Sequence, residues 1–203
     1  MKIAVLASGE GTTLQAVLDA CASGRLAARV AVVISNNAGA GALRRASAAG
    51  VPTRHLSAGG TSAQDQALST TLVEFGTDLV LLAGYLKRLG PQVLARFAGR
   101  IINTHPALLP QFGGQGMYGL NVHRAVLAAG HAQSGASVHW VDENYDTGAV
   151  IAQTRVPVEP GDSAQSLAAR VQAAERELVI EVLAAAASGR LTPPQHRQAS
   201  ATS

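Results

Sequence analysis

Short apolar runs alternate with amphipathic stretches along the first hundred residues. Residues 2–8, 30–34, 51–56 and 78–83 read as strands, and the unbroken Leu79-Val80-Leu81-Leu82 is what a strand buried on both faces requires. Between them, residues 14–23, 41–49 and 63–75 read as helices, closed by Gly24, Gly50 and Gly76. A further helix over 91–98 leads into the strand Ile101-Ile102-Asn103-Thr104-His105, which Pro106 ends. This alternation predicts an α/β fold: a doubly wound, Rossmann-like, mostly parallel sheet with helices on both faces. Ligands of such sheets sit beyond the carboxyl ends of the strands. Residues 9–13, 85–89 and 103–105 all fall on that edge.

The pattern changes after Pro110. Residues 111–119 hold four glycines in nine positions and read as a mobile lid. A helix follows over 121–129. Strands over 136–141 and 149–156, joined by residues 142–148, read as an antiparallel pair. The last element is a long C-terminal helix with Leu167, Val171, Ala174, Leu178 and Val182 on one stripe, and Asp162 with Gln165 as its capping pair. Residues 58–62 read as a flexible loop, and 192–203, rich in Pro, Gln and Ser, as a disordered tail.

Composition narrows the function classes. At 203 residues, 47% apolar and 14% charged, the chain is globular and long enough for a substantial core. It contains no run of 18 apolar residues, and Met1 leads directly into a strand. The expectation is therefore neither a membrane span nor a signal peptide, and a cytoplasmic protein. The single Cys21 excludes an intramolecular disulfide and a cysteine-based zinc site. The net charge of +3 rests almost entirely on scattered arginines. That suits a small anionic substrate and does not favour nucleic acid.

Four groups of residues carry candidate chemistry. Asn103 and His105 share a strand face at its carboxyl end, with His105 held extended before Pro106. Such a pair can hold a carbonyl oxygen and move a proton, or can equally be a turn asparagine beside a hydrogen-bonded surface histidine. The glycine turn 8–14 between strand and helix suits one phosphate, if it binds anything. A dinucleotide is disfavoured, because Leu14 replaces the third glycine and Ser35-Asn36-Asn37 offers no acid for a ribose. Asp146 can hold a carboxylate against the strand edge or simply cap its turn. Gln172 and Glu175, at the polar border of the last helix, read as solvated by themselves. His139 reads either as support for the Asn103 group or as a core histidine bonded to backbone.

Four segments carry a resemblance: Ala7-Ser8-Gly9-x-Gly11; Leu82 through Leu89; Ile102 through Pro110; and Gly135-Ala136-Ser137-Val138-His139-Trp140-Val141-Asp142 with Asp146 and Gly148. Through them the chain resembles the phosphoribosylglycinamide formyltransferases, folate-dependent enzymes of purine synthesis, from Lys2 to about Leu191. The resemblance implies a formyltransferase fold in one domain over 1–191. A phosphate-binding lobe would span 1–100, and a catalytic and folate-binding lobe 101–191. It implies Asn103, His105 and Asp146 as catalytic residues and 10-formyltetrahydrofolate as cosubstrate, with no metal. Gly11, Thr12, Thr13, Gln172 and Glu175 would bind glycinamide ribonucleotide. Leu86, Lys87, Arg88 and Leu89, with Asn103, would bind the folate. It implies small-molecule substrates only and a monomer or homodimer. The chain departs from the family in three places. Thr12-Thr13 stands where Ser-Asn is usual, no arginine lies in Ser62-Ala63-Gln64-Asp65, and residues 113–120 make a longer loop.

Other readings differ in class. The formyl-transfer core of an initiator-tRNA formyltransferase is expected to continue into a C-terminal nucleic-acid-binding domain, and a formyl-folate hydrolase to begin with a regulatory one. A non-catalytic phosphate-binding module would leave the joint presence of Asn103, His105 and Asp146 unexplained.

Overall fold

A computed structural model describes residues 1–56 and 61–193. The expected flexible loop, for residues 58–60, and the expected tail, from residue 194 onward, lie outside the described residues. Among the described residues there are seven strands: β1 Lys2–Leu6, β2 Arg29–Ser35, β3 Thr53–His55, β4 Leu79–Leu82, β5 Ile101–His105, β6 Gln133–Trp140 and β7 Val150–Pro157. The same residues form six helices: α1 Thr12–Ala22, α2 Gly41–Ala48, α3 Ser62–Glu74, α4 Pro91–Arg96, α5 Leu120–Ala128 and α6 Ala164–Ala187.

The strands form one sheet in the order β3-β2-β1-β4-β5-β6-β7. The first five are parallel, and β6 and β7 run antiparallel to their neighbours. The two-residue side-chain period sorts the core into two layers. Ile3, Val5, Val33, Leu79, Leu81 and Ile102 pack with Leu14 and Val17 of α1 and with Leu167, Val171 and Leu178 of α6. Ala4, Leu6, Val32, Ile34, Val80 and Ile101 pack on the other face with Leu68 and Leu72 of α3 and Val93 of α4. The chain reverses its winding between β1 and β4, and the N–H of Ser8 donates to the carbonyl of Gly84 across that gap at 3.0 Å. A crevice opens there, as the topology demands.

One expected cap is displaced. The capping box of α6 is made by Ser163 and Ser166, not by Asp162 and Gln165. Asp162 lies one residue too early. It accepts instead from the Ser166 hydroxyl, the Glu159 N–H and the Arg170 guanidinium. Two glycines are fixed by close approach. A Cβ on Gly148 would lie 1.8 Å from the Trp140 carbonyl, and one on Gly135 would lie 2.0 Å from that of Thr154. No helix among the described residues is long and apolar enough to cross a membrane.

Candidate active site

β5 delivers polar groups to both faces of the sheet at its carboxyl end. By strand alternation Asn103 and His105 share one face and Thr104 takes the other. Register sets His139 of β6 opposite Asn103, and Ser137 opposite His105. Asp146 comes from the β6–β7 connection, where its backbone is left-handed, with φ of 56°. Aspartate tolerates that region better than most residues.

Asp146 is the hub. Its Oδ2 accepts the N–H of Gly114 at 2.9 Å and lies 3.5 Å from Nδ1 of His105. Its Oδ1 lies 3.4 Å from both Nδ2 of Asn103 and Nε2 of His139. These three longer contacts are too stretched to be strong hydrogen bonds. They leave the carboxylate able to take a better donor or a bridging water. The Asn103 amide makes its shorter bond to Nε2 of His139 at 3.0 Å, while Nδ1 of His139 lies 2.8 Å from the Trp140 carbonyl. Those partners assign the His139 tautomer: Nδ1–H donates to backbone and Nε2 accepts from Asn103. Both readings of His139 therefore hold together, since it is a buried histidine with a backbone partner and it also orients Asn103.

The glycine-rich segment is seated on this group. Nε2 of His105 donates to the Phe112 carbonyl at 2.7 Å, and Gly113 is packed so closely that a Cβ would meet Cβ of Asp146 at 3.2 Å. His105 is 3% exposed. Burial holds its imidazole below the ordinary histidine value, with Asp146 and the Phe112 carbonyl pulling the other way. A carboxylate this near would by itself hold the imidazole charged, but desolvation outweighs it. Burial pushes Asp146 up, but the pull of the His105 imidazole and the N–H of Gly114 hold it below the usual carboxylate range.

On the opposite face, Glu175 of α6 accepts from the Thr13 hydroxyl at 3.1 Å and the Thr104 hydroxyl at 3.2 Å. Glu175 is 7% exposed, so its reading as a solvated residue is corrected. The ends of α1 and β5 cover it, and burial pushes its carboxyl pKa up. Gln172, one turn earlier, is exposed, as is Thr12. The first turn of α1 has Gly11 as its N-cap, with φ of 74°, and no capping side chain. Its backbone N–H groups are therefore available to an anion.

On the α3/α4 side lies a cleft of about 1700 Å³ that Leu86, Lys87, Arg88 and Leu89 border together with Gln64, Asp65 and Trp140. A smaller cavity of about 60 Å³ joins the same residues 87–89 to Asn103, His139 and Asp146. Arg88 differs from a simple ligand contact. Its guanidinium donates to the Glu143 carbonyl and lies 5.4 Å from the centre of the Tyr145 ring, bracing the connection that carries Asp146. Asp65 is buried, and its carboxylate accepts the N–H groups of Gln92 at 2.7 Å and Val93 at 3.3 Å, so it caps α4 at the cleft wall. Ser8 ties three loops: its hydroxyl donates to Oδ1 of Asn36 at 2.5 Å and accepts the N–H of Leu86 at 2.9 Å. Thr104 and Ser8 were not singled out from sequence. Strand alternation alone would have turned Thr104 toward α6.

An imidazole, a carboxamide and a carboxylate thus meet at one strand end, with a cleft on one face of the sheet and the open first turn of α1 on the other. Residues 1–183 match the family described as formyl transferase, and the chain belongs to that family. Within it the chain stands with the phosphoribosylglycinamide formyltransferases. It is 40% identical to the Haemophilus influenzae enzyme of that name over 94% of this chain and 89% of the other. The Escherichia coli enzyme is likewise 40% identical, over 94% and 89%. The crystal structure of glycinamide ribonucleotide transformylase 1 from Symbiobacterium toebii superposes with a TM-score of 0.89. It is 41% identical and covers 96% of this chain and 91% of the other.

Proposed function

We propose that this transferase passes the formyl group of 10-formyltetrahydrofolate to the primary amine of glycinamide ribonucleotide in the cytoplasm. The observation that carries the reading is the division of labour at the end of β5. Asn103 faces the small cavity that continues from the large cleft, while Thr104 binds Glu175 beside the open first turn of α1. A flat, partly apolar pteridine suits the cleft bordered by Leu86 and Leu89. A phosphate suits Gly11, Thr12 and Thr13, and a sugar hydroxyl or amine suits Glu175 and Gln172.

In the reaction, the amine nitrogen bonds to the formyl carbon and the carbonyl electron pair moves onto oxygen. The second Asn103 N–H, held only loosely by Asp146 at 3.4 Å, is the donor that a developing oxyanion would capture. His105 reaches the same oxygen by exchanging the Phe112 carbonyl for it. The new negative charge then favours the imidazolium that burial disfavours. Asp146, ionised at the outset, takes up the ammonium proton through a water and passes it on to the discharged imidazole, so both side chains end the cycle as they began it. His105 gives a proton to N10 as the carbon–N10 bond breaks, leaving formylated ribonucleotide and tetrahydrofolate.

The test is the change in folate absorbance on formyl loss, followed with and without glycinamide ribonucleotide. Formyl loss that requires the ribonucleotide is expected. Formyl loss at the same rate without it would replace transfer by hydrolysis.

A further inference from the structure

We propose that Arg45 of α2 is a positioning residue for the phosphate subsite, acting through the backbone of the glycine turn. The proposal rests on the reading of Gly11, Thr12 and Thr13 as the phosphate contacts. Nε of Arg45 donates to the Glu10 carbonyl at 2.8 Å, and its Nη1 donates to Oε1 of Gln15, in the first turn of α1, at 3.2 Å. The N–H of Ala42 donates to the Gly9 carbonyl at 3.1 Å. Two consecutive carbonyls of the turn are thus drawn toward α2. In a trans peptide the N–H points opposite to the carbonyl. The N–H groups of Glu10 and Gly11 are therefore turned away from α2, and the left-handed Gly11 bends them into a concave nest with the free N–H groups that open α1.

The packing leaves the turn few alternatives. A Cβ on Gly11 would lie 2.7 Å from Cα of Ala42, and one on Gly41 would lie 2.9 Å from Cα of Glu10. The turn is pressed against α2 at Glu10 and Gly11, and Arg45 holds the carbonyl of the peptide that joins those two residues. Lysine cannot substitute, because a single ammonium lacks the planar fork that spans the Glu10 carbonyl and Gln15 together.

The experiment compares binding of glycinamide ribonucleotide and of its dephosphorylated ribonucleoside to the full chain, with Arg45→Met and Arg45→Lys alongside wild type. Melting temperature is measured for each, and inorganic phosphate serves as a competitive inhibitor. Arg45→Met should weaken ribonucleotide and phosphate binding by about ten- to a hundredfold, the size of lost charge-assisted hydrogen bonds. Ribonucleoside affinity and kcat at saturation should stay close to wild type, and Arg45→Lys should recover little. Equal weakening of both ligands, or full recovery with lysine, overturns the proposal: the first makes Arg45 a general structural residue, the second a bare charge. A wild-type preference for the phosphorylated ligand that survives undiminished in Arg45→Met also overturns it. A wild type without that preference removes the phosphate assignment itself, and Arg45's role with it.

Discussion

The Thr104 hydroxyl donates to the buried carboxylate of Glu175 at 3.2 Å, joining the strand that carries Asn103 and His105 to the helix on the opposite face of the sheet. A carboxylate in that position is retained at a cost. Two threonine hydroxyls offset only part of the lost hydration, so its protonated form is favoured more in the folded chain than in the unfolded one.

Glu175→Gln should therefore stabilise the protein while weakening the ribonucleotide. A raised carboxyl pKa means a stability contribution present at acid pH and lost as pH rises through the folded value. The gain from glutamine should thus appear at neutral pH and vanish near pH ~4, below the ordinary glutamate value. A rise in Tm of about 2–4 °C at pH 7 corresponds to each kcal/mol recovered in a chain of this size. Thermal unfolding at both pH values, with KM for the ribonucleotide, checks the pair of effects.

His105→Ala should lower kcat by about 10² to 10³, the usual consequence of losing one donor to a developing oxyanion, and leave ribonucleotide affinity nearly intact. Calorimetric titration of the ribonucleotide beside steady-state rates separates the two. Weakened binding at a normal kcat would move His105 out of the reaction.

Asp146→Asn removes the carboxylate that pulls the His105 pKa upward and leaves burial unopposed by that charge. The His105 pKa should fall further. With the imidazolium as the proposed proton donor, activity is lost as pH rises through that pKa, so the alkaline limb of the kcat profile should move to lower pH. A limb that stays in place would show that the two side chains are not coupled.

The lowered pKa of His105 also predicts how the wild type responds to acid. The neutral ring is favoured by folding, so its stabilising contribution is present above the ordinary value of about 6.5 and is lost as pH falls below it. Denaturant unfolding from pH 8 to pH 5 should show declining stability that flattens in His105→Ala.

Gly148→Ala should be strongly destabilising, since its methyl group would sit 1.8 Å from the Trp140 carbonyl. Backbone must move to admit it, at a cost of about 1–3 kcal/mol or more. Activity should fall as well, because Asp146 lies two residues away. Denaturant midpoints and kcat measured together would show both losses.

Much of this architecture can be read from periodicity. Ile3, Val5, Leu79 and Leu81 face α1 while Ala4, Leu6, Val80 and Leu82 face α3, as strict alternation requires. Asn103 and His105 at a strand end were legible for the same reason. Glu175 was not, because a helix pattern marks a polar border without saying that the ends of two other elements will cover it. The depressed His105 pKa was equally hidden, since it depends on the cover supplied by residues 111–119, whose glycines encode no fixed path. The start of α6 slipped by one residue because Asp162 and Ser163 are both good caps, and only three-dimensional partners decide between them.

The left-handed backbone at Asp146 restricts more than its charge. Only asparagine and glycine would occupy that conformation as readily, so the tolerated alphabet at this position is short even before chemistry is considered. An alanine there would confound a shifted turn with a missing charge. A natural drift of this site toward glutamate would lengthen the arm while straining the chain that bears it.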